Sequence, residues 1–339
     1  MSDFNQISAI WQKIKEDQKL RENLVIRAQV LAAIREFFQN EGFLEMETPT
    51  LVTAPDPSPF NEVFELQTIN EERFFLTPSP EFFLKKLLVA GLENIYQITK
   101  AYRDQQEKDG LHRREFTILE WYRTKADYTD LMTDCEKIIS FISSKLKTLN
   151  YQGRKIDLTP PWPRISCKEA LAKYAGVNLD EFLDEKKAVK ICRDKGYQVD
   201  KKTTWEELYH QVFLNEVEPS LLALPAVILY DYPAPLAALS QIKTDNPLYA
   251  ERFEFYLGGL EMGNGYSELT DPREQEKRLQ ADIQTRKTKK MKVFDYDYDF
   301  VEALKEGLPK TAGIAVGIDR LAMLFADATD IREVAPFTL

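Results

Sequence analysis

The chain has 339 residues, of which 44% are hydrophobic and 29% are charged, and its formal net charge at pH 7 is −10. These proportions are ordinary for a globular protein, and the length suffices for one large domain or two smaller ones. No apolar run approaches the roughly 20 residues that cross a bilayer, and the first residues lack the features of a signal peptide. We therefore expect a cytoplasmic protein with no membrane contact. The negative charge argues against nucleic acid as the main partner, because phosphate backbones bind basic surfaces.

Two helices are predicted at the N-terminus. Residues 1–22 are expected to form a short helical extension, because isoleucine and tryptophan side chains recur there at helical spacing. Residues 24–41 predict a stronger amphipathic helix, with Gly42 placed to cap its C-terminal end. An extended segment at 43–49 follows and ends in proline.

Strands and helices are mixed along the rest of the chain. The further predicted elements are strands at 73–77, 94–103, 115–123, 225–232, 250–268 and 311–317, and helices at 82–90, 165–222, 272–290 and after 317. Several of these strands form hairpins, which favours an α+β fold around an antiparallel sheet. The stretch 165–222 is helical by composition and carries no recognisable chemistry.

The segment 115–123 alternates in the way that a strand with two different faces requires. Phe116, Ile118, Glu120 and Tyr122 then lie on one face. A carboxylate and a phenol two residues apart, with an aromatic ring at the start of the strand, can bind an ammonium group and stack a flat ring.

A second hairpin is predicted around Gly258 and Gly259, which form a two-residue turn. The register pairs residue 256 with Glu261, so Glu254 and Glu261 lie diagonally on one face within about 8 Å. Two such carboxylates are ordinarily a solvated pair, but above a nucleotide they would suit Mg²⁺.

The segment after this hairpin places Asn264, Tyr266 and Glu268 on one face by the period of two. That face is opposite to the face of Glu261 if the strand is regular. The glycines at 263 and 265 can supply a bulge that turns the strand.

Three segments, in order, resemble the signature motifs of class II aminoacyl-tRNA synthetases in their lysyl form. The first runs from Arg35 to Pro49, the second from Ala101 to Tyr122 and the third from Gly313 to Arg320. The resemblance covers about residues 24–338 and is weakest between 150 and 225. It implies a class II synthetase catalytic domain at 23–339, with 165–222 as a helical insertion, and with ATP and Mg²⁺ as cofactors.

The resemblance also implies a role for individual residues. Arg103 would bridge the amino acid carboxylate and the α-phosphate of ATP, Arg320 would stack on adenine, and both are the expected catalytic residues. Glu254 and Glu261 would hold the magnesium. The amino acid pocket would consist of Glu81, Arg103, Glu120, Tyr122, Asn264, Tyr266, Glu268 and Ala315, and the ATP site of Arg103, Gln105, His112, Phe116, Glu254, Glu261, Gly317 and Arg320.

Within this family, the chain most resembles the stand-alone elongation factor P–(R)-β-lysine ligases. Only about 22 residues precede the region of resemblance, the composition is acidic, and Ala315 replaces the middle glycine of the third motif. This resemblance implies a protein without an anticodon-binding domain, and the resemblance of the first motif, with Arg35, Phe37, Phe38 and Pro49, implies a two-fold homodimer that this segment builds. It also implies transfer of lysine or (R)-β-lysine to a lysine of elongation factor P, with tRNA an improbable partner.

Two alternatives remain. A minimal lysyl-tRNA synthetase would share every pocket residue. A catalytically silent lysine-binding paralog is suggested by Gln105, which stands where the family has a glutamate facing adenine, and by the altered segment 112–116. The Gln105 carbonyl can still accept a hydrogen bond from the adenine amino group.

One basic run stands out in the acidic chain, and it comprises Arg286, Lys287, Lys289, Lys290 and Lys292. Such a run is usually a solvated helix face. The alternative is a landing site for an acidic macromolecule.

Overall fold

An eight-stranded mixed sheet organises the chain in the computed structural model, which describes residues 10–104, 109–146 and 149–337. The strands are β1 (Leu44–Glu45), β2 (Leu51–Val52), β3 (Glu65–Gln67), β4 (Arg73–Leu76), β5 (Asn94–Tyr102), β6 (Glu115–Thr124), β7 (Asn150–Tyr151), β8 (Arg154–Lys155), β9 (Arg164–Ser166), β10 (Ala226–Pro233), β11 (Tyr249–Leu257), β12 (Leu260–Ser267) and β13 (Thr311–Gly317). The main sheet has the order β1-β5-β6-β13-β12-β11-β10-β9.

The helices cover both faces and one end of this sheet. They are α1 (Ile10–Glu16), α2 (Gln18–Asn40), α3 (Glu81–Val89), α4 (Tyr128–Leu146), α5 (Cys167–Ala170), α6 (Leu179–Phe182), α7 (Glu185–Asp194), α8 (Trp205–Val212), α9 (Glu218–Leu222), α10 (Pro272–Thr288), α11 (Tyr298–Gly307) and α12 (Ile318–Ala326). Over the part of the chain that the structure describes, none of these helices combines the length and the apolar character needed to span a bilayer.

The predicted α+β fold is confirmed, with one difference at the two edges of the sheet. The six central strands pair antiparallel, as expected. The edge strands β1 and β9 instead run parallel to β5 and β10. Of the extended segment predicted at 43–49, only Leu44–Glu45 pairs as a strand.

The two faces of β6 meet different surroundings, as its alternation predicts. Leu119 and Trp121 join the largest apolar core, where Trp121 packs 5.4 Å from the ring of Phe38. Tyr122, on the other face, packs with apolar side chains of α3 and α11. A strand buried on both sides can therefore present Glu120 to an interior space instead of to water.

The N-terminal helix is longer than predicted. It begins at Gln18, six residues before the expected start, because the side chain of Asp17 accepts the backbone N–H of Leu20 at 3.0 Å and caps it. The proposed boundary at residue 22 therefore lies inside a continuous helix. Gly42 follows the helix with φ +75°, a conformation that glycine adopts without strain. The preceding α1 buries no side chain, and residues 1–9 lie outside the described part.

The helical stretch predicted at 165–222 is confirmed, apart from the strand β9 at its start. It builds a second apolar core of its own, which includes Leu171, Phe182 and Leu208. This core continues onto the sheet through Val227 and Leu229 of β10. This helical stretch is thus anchored to the end of the sheet beside the cavity described below.

Two aromatic side chains of the segment expected to form the dimer surface, 35–49, lie in the interior of the chain. Phe37 and Phe38 are buried in the main core, 7% and 1% exposed, and so are not available to a partner. Arg35 pairs with Glu45 at 3.0 Å on the surface, next to the exposed Leu44. A homodimer stays a prediction, and the exposed residues of this segment, Pro49 among them, are the ones available to it.

Candidate active site

A cavity of about 790 Å³ opens over the face of the sheet that carries Glu120 and Tyr122. All eight residues predicted for the amino acid pocket meet there, together with the two predicted metal ligands. The predicted residues that line it are Glu81, Arg103, Glu120, Tyr122, Glu254, Glu261, Asn264, Tyr266, Glu268 and Ala315. Residues far apart in the chain thus converge because β6, β12 and β13 lie side by side.

A bulge in β12 explains how Glu261 and Glu268 reach the same cavity. Tyr256 pairs with Glu261, as the turn predicts, but Phe255 pairs with Gly263, so Met262 is the extra residue. The bulge reverses the alternation after Glu261. The expectation that Asn264 and Glu268 face away from Glu261 in a regular strand is therefore wrong, and the bulge suggested by the glycines is confirmed.

Glu120 is a buried carboxylate at the inner end of the cavity, only 1% exposed. It accepts hydrogen bonds from the hydroxyls of Ser79 at 2.6 Å and Tyr122 at 2.9 Å. Burial, reinforced by the nearby Glu81, raises the pKa of Glu120 to about 8. Ser79 was not among the predicted site residues, although it lies in the Pro-Ser-Pro-Glu segment that singled out Glu81.

Glu268 lies beside Glu120 and is also buried, 1% exposed. Its Oε2 is 2.5 Å from Nζ of Lys85. Its Oε1 has no hydrogen-bond partner among the described residues. Burial raises the pKa of Glu268, and the Lys85 ammonium opposes that rise. A buried carboxylate oxygen without a partner is costly, so this atom is a strong candidate to receive a ligand donor.

Lys85 is the most important site residue that sequence reasoning missed. Its ammonium also lies 2.5 Å from Glu81 Oε1, and the hydroxyl of Tyr266 donates to the same carboxylate at 3.0 Å. The spacing of Glu81 and Lys85, four residues apart on α3, was available in the sequence. Such pairs usually lie on helix surfaces, so the spacing alone does not indicate a buried site.

Gly313 on β13 allows these groups to approach one another. A Cβ atom at this position would collide with the Glu268 carboxylate and with the Tyr122 ring. The glycine therefore leaves the space that the Glu268 carboxylate and the Tyr122 ring occupy.

The opposite side of the inner cavity carries a cation. Arg103 follows β5, and its guanidinium lies 5.1 Å from the centre of the Phe116 ring. Its Nε has no hydrogen-bond partner among the described residues. Burial lowers the pKa of Arg103, although Glu261 and Glu120 favour its charged form. The cavity thus offers a guanidinium on one side and carboxylates on the other.

Glu254 and Glu261 form a second acidic group in the same cavity. Glu254 accepts from Arg252 at 2.9 Å and from the hydroxyl of Tyr256 at 2.6 Å. Burial raises the pKa of Glu261, and Glu254 raises it further. Carboxylate oxygens are the ligands that Mg²⁺ prefers, and a divalent cation between the two groups would offset the effect of Glu254 on Glu261, so the chemistry of this donor set fits Mg²⁺.

The remaining predicted ATP residues do not line the cavity, but Phe116 and Arg320 contact residues that do. Arg320 Nη2 is 2.5 Å from His112 Nε2, and Arg320 Nη1 donates to the backbone oxygen of Glu261 at 2.9 Å. His112, Phe116, Gly317 and Arg320 are outside the residues that line the cavity. Gln105 lies outside the described part of the chain.

The predicted basic run divides into one structural residue and an exposed group. Arg286 is fully buried and donates to the backbone oxygens of Ser58 at 3.0 Å and Asn61 at 2.9 Å. Including Arg286 in a surface patch is therefore wrong. Lys287, Lys289 and Lys290 are exposed at the end of α10.

This fold and site define the catalytic domain of a class II aminoacyl-tRNA synthetase. The family model described as class II tRNA synthetases (D, K and N) matches residues 6–339, and the chain belongs to this family.

Relatives in this family are lysine–tRNA ligases. The chain is 34% identical over 322 residues to that of Moorella thermoacetica, covering 94% of this chain and 65% of the relative. It is 33% identical over 326 residues to that of Pelotomaculum thermopropionicum, covering 95% and 64%. It is 35% identical over 325 residues to that of Campylobacter jejuni strain RM1221, covering 94% and 64%. The chain thus spans somewhat less than two thirds of the length of these relatives.

The raised pKa of Glu120 predicts how the stability of the ligand-free protein depends on pH. The ordinary value is 4.5 and the folded value about 8, so the folded state binds the proton more tightly between these limits. The free energy of unfolding must then fall as pH rises through this window, by up to about 1.4 kcal/mol per pH unit from one group. Glu120→Gln should flatten this fall in urea denaturation curves recorded from pH 5 to 8.

The matched control is Glu115→Gln, which changes an exposed glutamate on the same strand. It should leave the slope as in the wild type. A Glu120→Gln variant whose stability falls as steeply with pH as the wild type would contradict this account of Glu120.

Proposed function

We propose that this protein activates lysine or (R)-β-lysine with ATP and transfers it to a lysine side chain of elongation factor P. The observation that carries the first part is the buried, unpartnered Oε1 of Glu268 beside Glu120. A substrate ammonium would supply the donors that this atom lacks. Arg103 on the other side of the cavity suits the substrate carboxylate, because a guanidinium fork binds oxyanions well. The cavity therefore matches an amino acid with a second ammonium group.

Different residues of the pocket would bind the two ammonium groups and the carboxylate of the substrate. Glu120, Tyr122 and Glu268 would bind the terminal ammonium. Glu81, with its second oxygen 3.1 Å from the Tyr266 hydroxyl, would bind the amino group nearest the carboxylate. Arg103 would then hold the carboxylate at the cavity entrance to the nucleotide site.

The first reaction step joins this carboxylate to ATP. A carboxylate oxygen attacks the α-phosphorus, the bond to the bridging oxygen of the β-phosphate breaks, and pyrophosphate leaves. Arg103 stabilises the negative charge that develops at phosphorus. The product is an aminoacyl-adenylate, so no side-chain nucleophile is needed.

The second step consumes the adenylate. A neutral amine of the acceptor attacks the acyl carbon, the bond to the phosphate oxygen breaks, and AMP leaves with its electron pair. The amine proton is lost to solvent, and an amide remains. Glu254 and Glu261 would hold Mg²⁺, which neutralises phosphate charge when bound.

A protein acceptor is supported by charge and by the cavity wall. The net charge of −10 disfavours a polyanionic acceptor. Ala315 pairs with Glu120 and Asn264 in the sheet and lines the cavity. Its methyl group stands where the lysyl form of the motif has glycine, a feature shared with the elongation factor P ligase resemblance.

The second candidate is transfer to tRNA. The relatives described above are lysine–tRNA ligases, which favours this function. Both candidates use the same activation step, so the pocket does not separate them. An assay with both acceptors separates the two candidates.

Activation is tested by amino-acid-dependent exchange of labelled pyrophosphate into ATP. Lysine and (R)-β-lysine should both be assayed, and at least one should support exchange. Glu268→Gln should raise the KM for the amino acid about tenfold to a hundredfold with little change for ATP, because a charged hydrogen bond contributes about 1.5–3 kcal/mol. Arg103→Ala should abolish exchange.

Glu115→Gln again provides the control and should exchange at the wild-type rate. Calorimetric lysine binding by a wild-type protein that never exchanges pyrophosphate would instead favour the silent paralog. Wild-type kinetics in both pocket variants would show that the assigned pocket is wrong.

The acceptor is tested by offering purified elongation factor P and tRNA(Lys) in parallel, with ATP and the activated amino acid. We expect a mass increase on one lysine of elongation factor P and none on a variant that lacks this lysine. Charge reversal at the exposed Lys287, Lys289 and Lys290 should slow this step without changing pyrophosphate exchange, if these lysines attract the acceptor. Charging of tRNA(Lys) without modification of elongation factor P would establish the second candidate.

A further inference from the structure

Lys85 lies behind the wall of the cavity and does not line it. Its side chain is completely buried, and its ammonium lies 2.5 Å from both Glu81 Oε1 and Glu268 Oε2. The rings of Tyr266 and Phe300 cover it at 5.8 and 6.0 Å. A fully enclosed cation that bridges two carboxylates of the substrate pocket is not explained by the binding roles assigned above.

The charges around the cavity indicate what this cation does. Glu81, Glu120 and Glu268 all line the cavity, and desolvation favours the neutral form of the two fully buried carboxyl groups, Glu120 and Glu268. A neutral carboxyl group binds an ammonium poorly, so an empty pocket that took up protons would have to release them before the substrate could bind. One fixed cation behind the wall opposes this protonation.

We propose that Lys85 is a positioning residue that keeps the Glu268 carboxylate charged and holds Glu81 and Glu268 in place in the empty pocket, so that the pocket is ready for a substrate with two ammonium groups. The inference rests on the proposed activation of lysine. Arg103 remains for the substrate carboxylate.

Other elements contribute charged and titratable groups to the same region. Glu120 and Tyr122 face it from β6, Tyr266 from β12, and Arg103 from the end of β5. Asp56 contributes from the loop between β2 and β3. Burial, and secondly the charge of Glu81, raise the pKa of Asp56 to about 6, and the charge of Lys85 opposes this rise. Burial lowers the pKa of Lys85, but Glu268 and Glu81 together outweigh it, so Lys85 stays charged.

The adjacent Lys86 provides a matched control on the same helix. Its ammonium bonds Asp297 at 2.7 Å and Asp299 at 2.8 Å, away from the cavity. Replacing Lys86 removes the same charge and an ion pair of similar geometry, but it should not change the protonation of the pocket.

The test is the pH dependence of kcat/KM for lysine in pyrophosphate exchange, measured from pH 6 to 8.5 with saturating ATP. Lys85→Gln keeps a hydrogen-bond donor but loses the charge. The acid limb of its profile should move upward by at least about one pH unit, because carboxyl groups that lose a neighbouring cation hold their protons to higher pH. The defect should lie in KM and should diminish as pH rises.

Lys85→Arg retains the charge, and Lys86→Gln leaves the pocket untouched, so both should keep the wild-type acid limb. If Lys85→Gln does not fold, Lys85→Gln/Glu268→Gln removes the buried pair together. The acid limb of this double variant should lie above that of Glu268→Gln alone, because Glu120 still loses the nearby cation that lowers its pKa.

An acid limb that does not move in Lys85→Gln, or that moves equally in Lys86→Gln, would overturn the role of Lys85. An acid limb of the double variant that coincides with the acid limb of Glu268→Gln alone would also overturn the role of Lys85. Failure of the wild type to exchange with lysine or (R)-β-lysine at any pH would instead reject the proposed function, so the two failures are distinguishable.

Discussion

The removal of three carboxylates from water on one face of a sheet is the constraint on which the site depends. An isolated buried charge is costly, so each carboxylate needs donors or a counterion. Glu120 has the hydroxyls of Ser79 and Tyr122, and Glu81 and Glu268 share the ammonium of Lys85. Among the described residues, Oε1 of Glu268 still lacks a hydrogen-bond donor, so a cationic ligand would gain the most binding free energy at this atom.

The fold supplies this arrangement through close backbone approach. Strands β6, β12 and β13 are neighbours, so Glu120 and Glu268 face one space although 148 positions separate them in the chain. The bulge at Met262 brings Glu261 to the same side as Glu268, and Gly313 leaves room for the carboxylate. Either a regular strand or a larger residue at 313 would separate the acidic groups that the proposed chemistry uses together.

Local patterns predicted much of this site. The period of two placed Glu120 and Tyr122 on one face, and the two-glycine turn predicted the pairing of Tyr256 with Glu261. Tertiary burial could not be predicted in this way. Lys85 and Arg286 have the sequence context of surface cations, and only packing from distant segments encloses them. The start of α2 was missed for a local reason, because the capping role of Asp17 was overlooked.

The central claim is that the cavity recognises a second ammonium group through buried carboxylates. Calorimetric titration of the wild-type protein at pH 7.5 with lysine and with norleucine, which lacks only the terminal amine, tests it most directly. Because the amine would be the partner of groups left unpaired in its absence, norleucine should bind at least about a hundredfold more weakly than lysine. Equal affinities for the two amino acids would contradict the account.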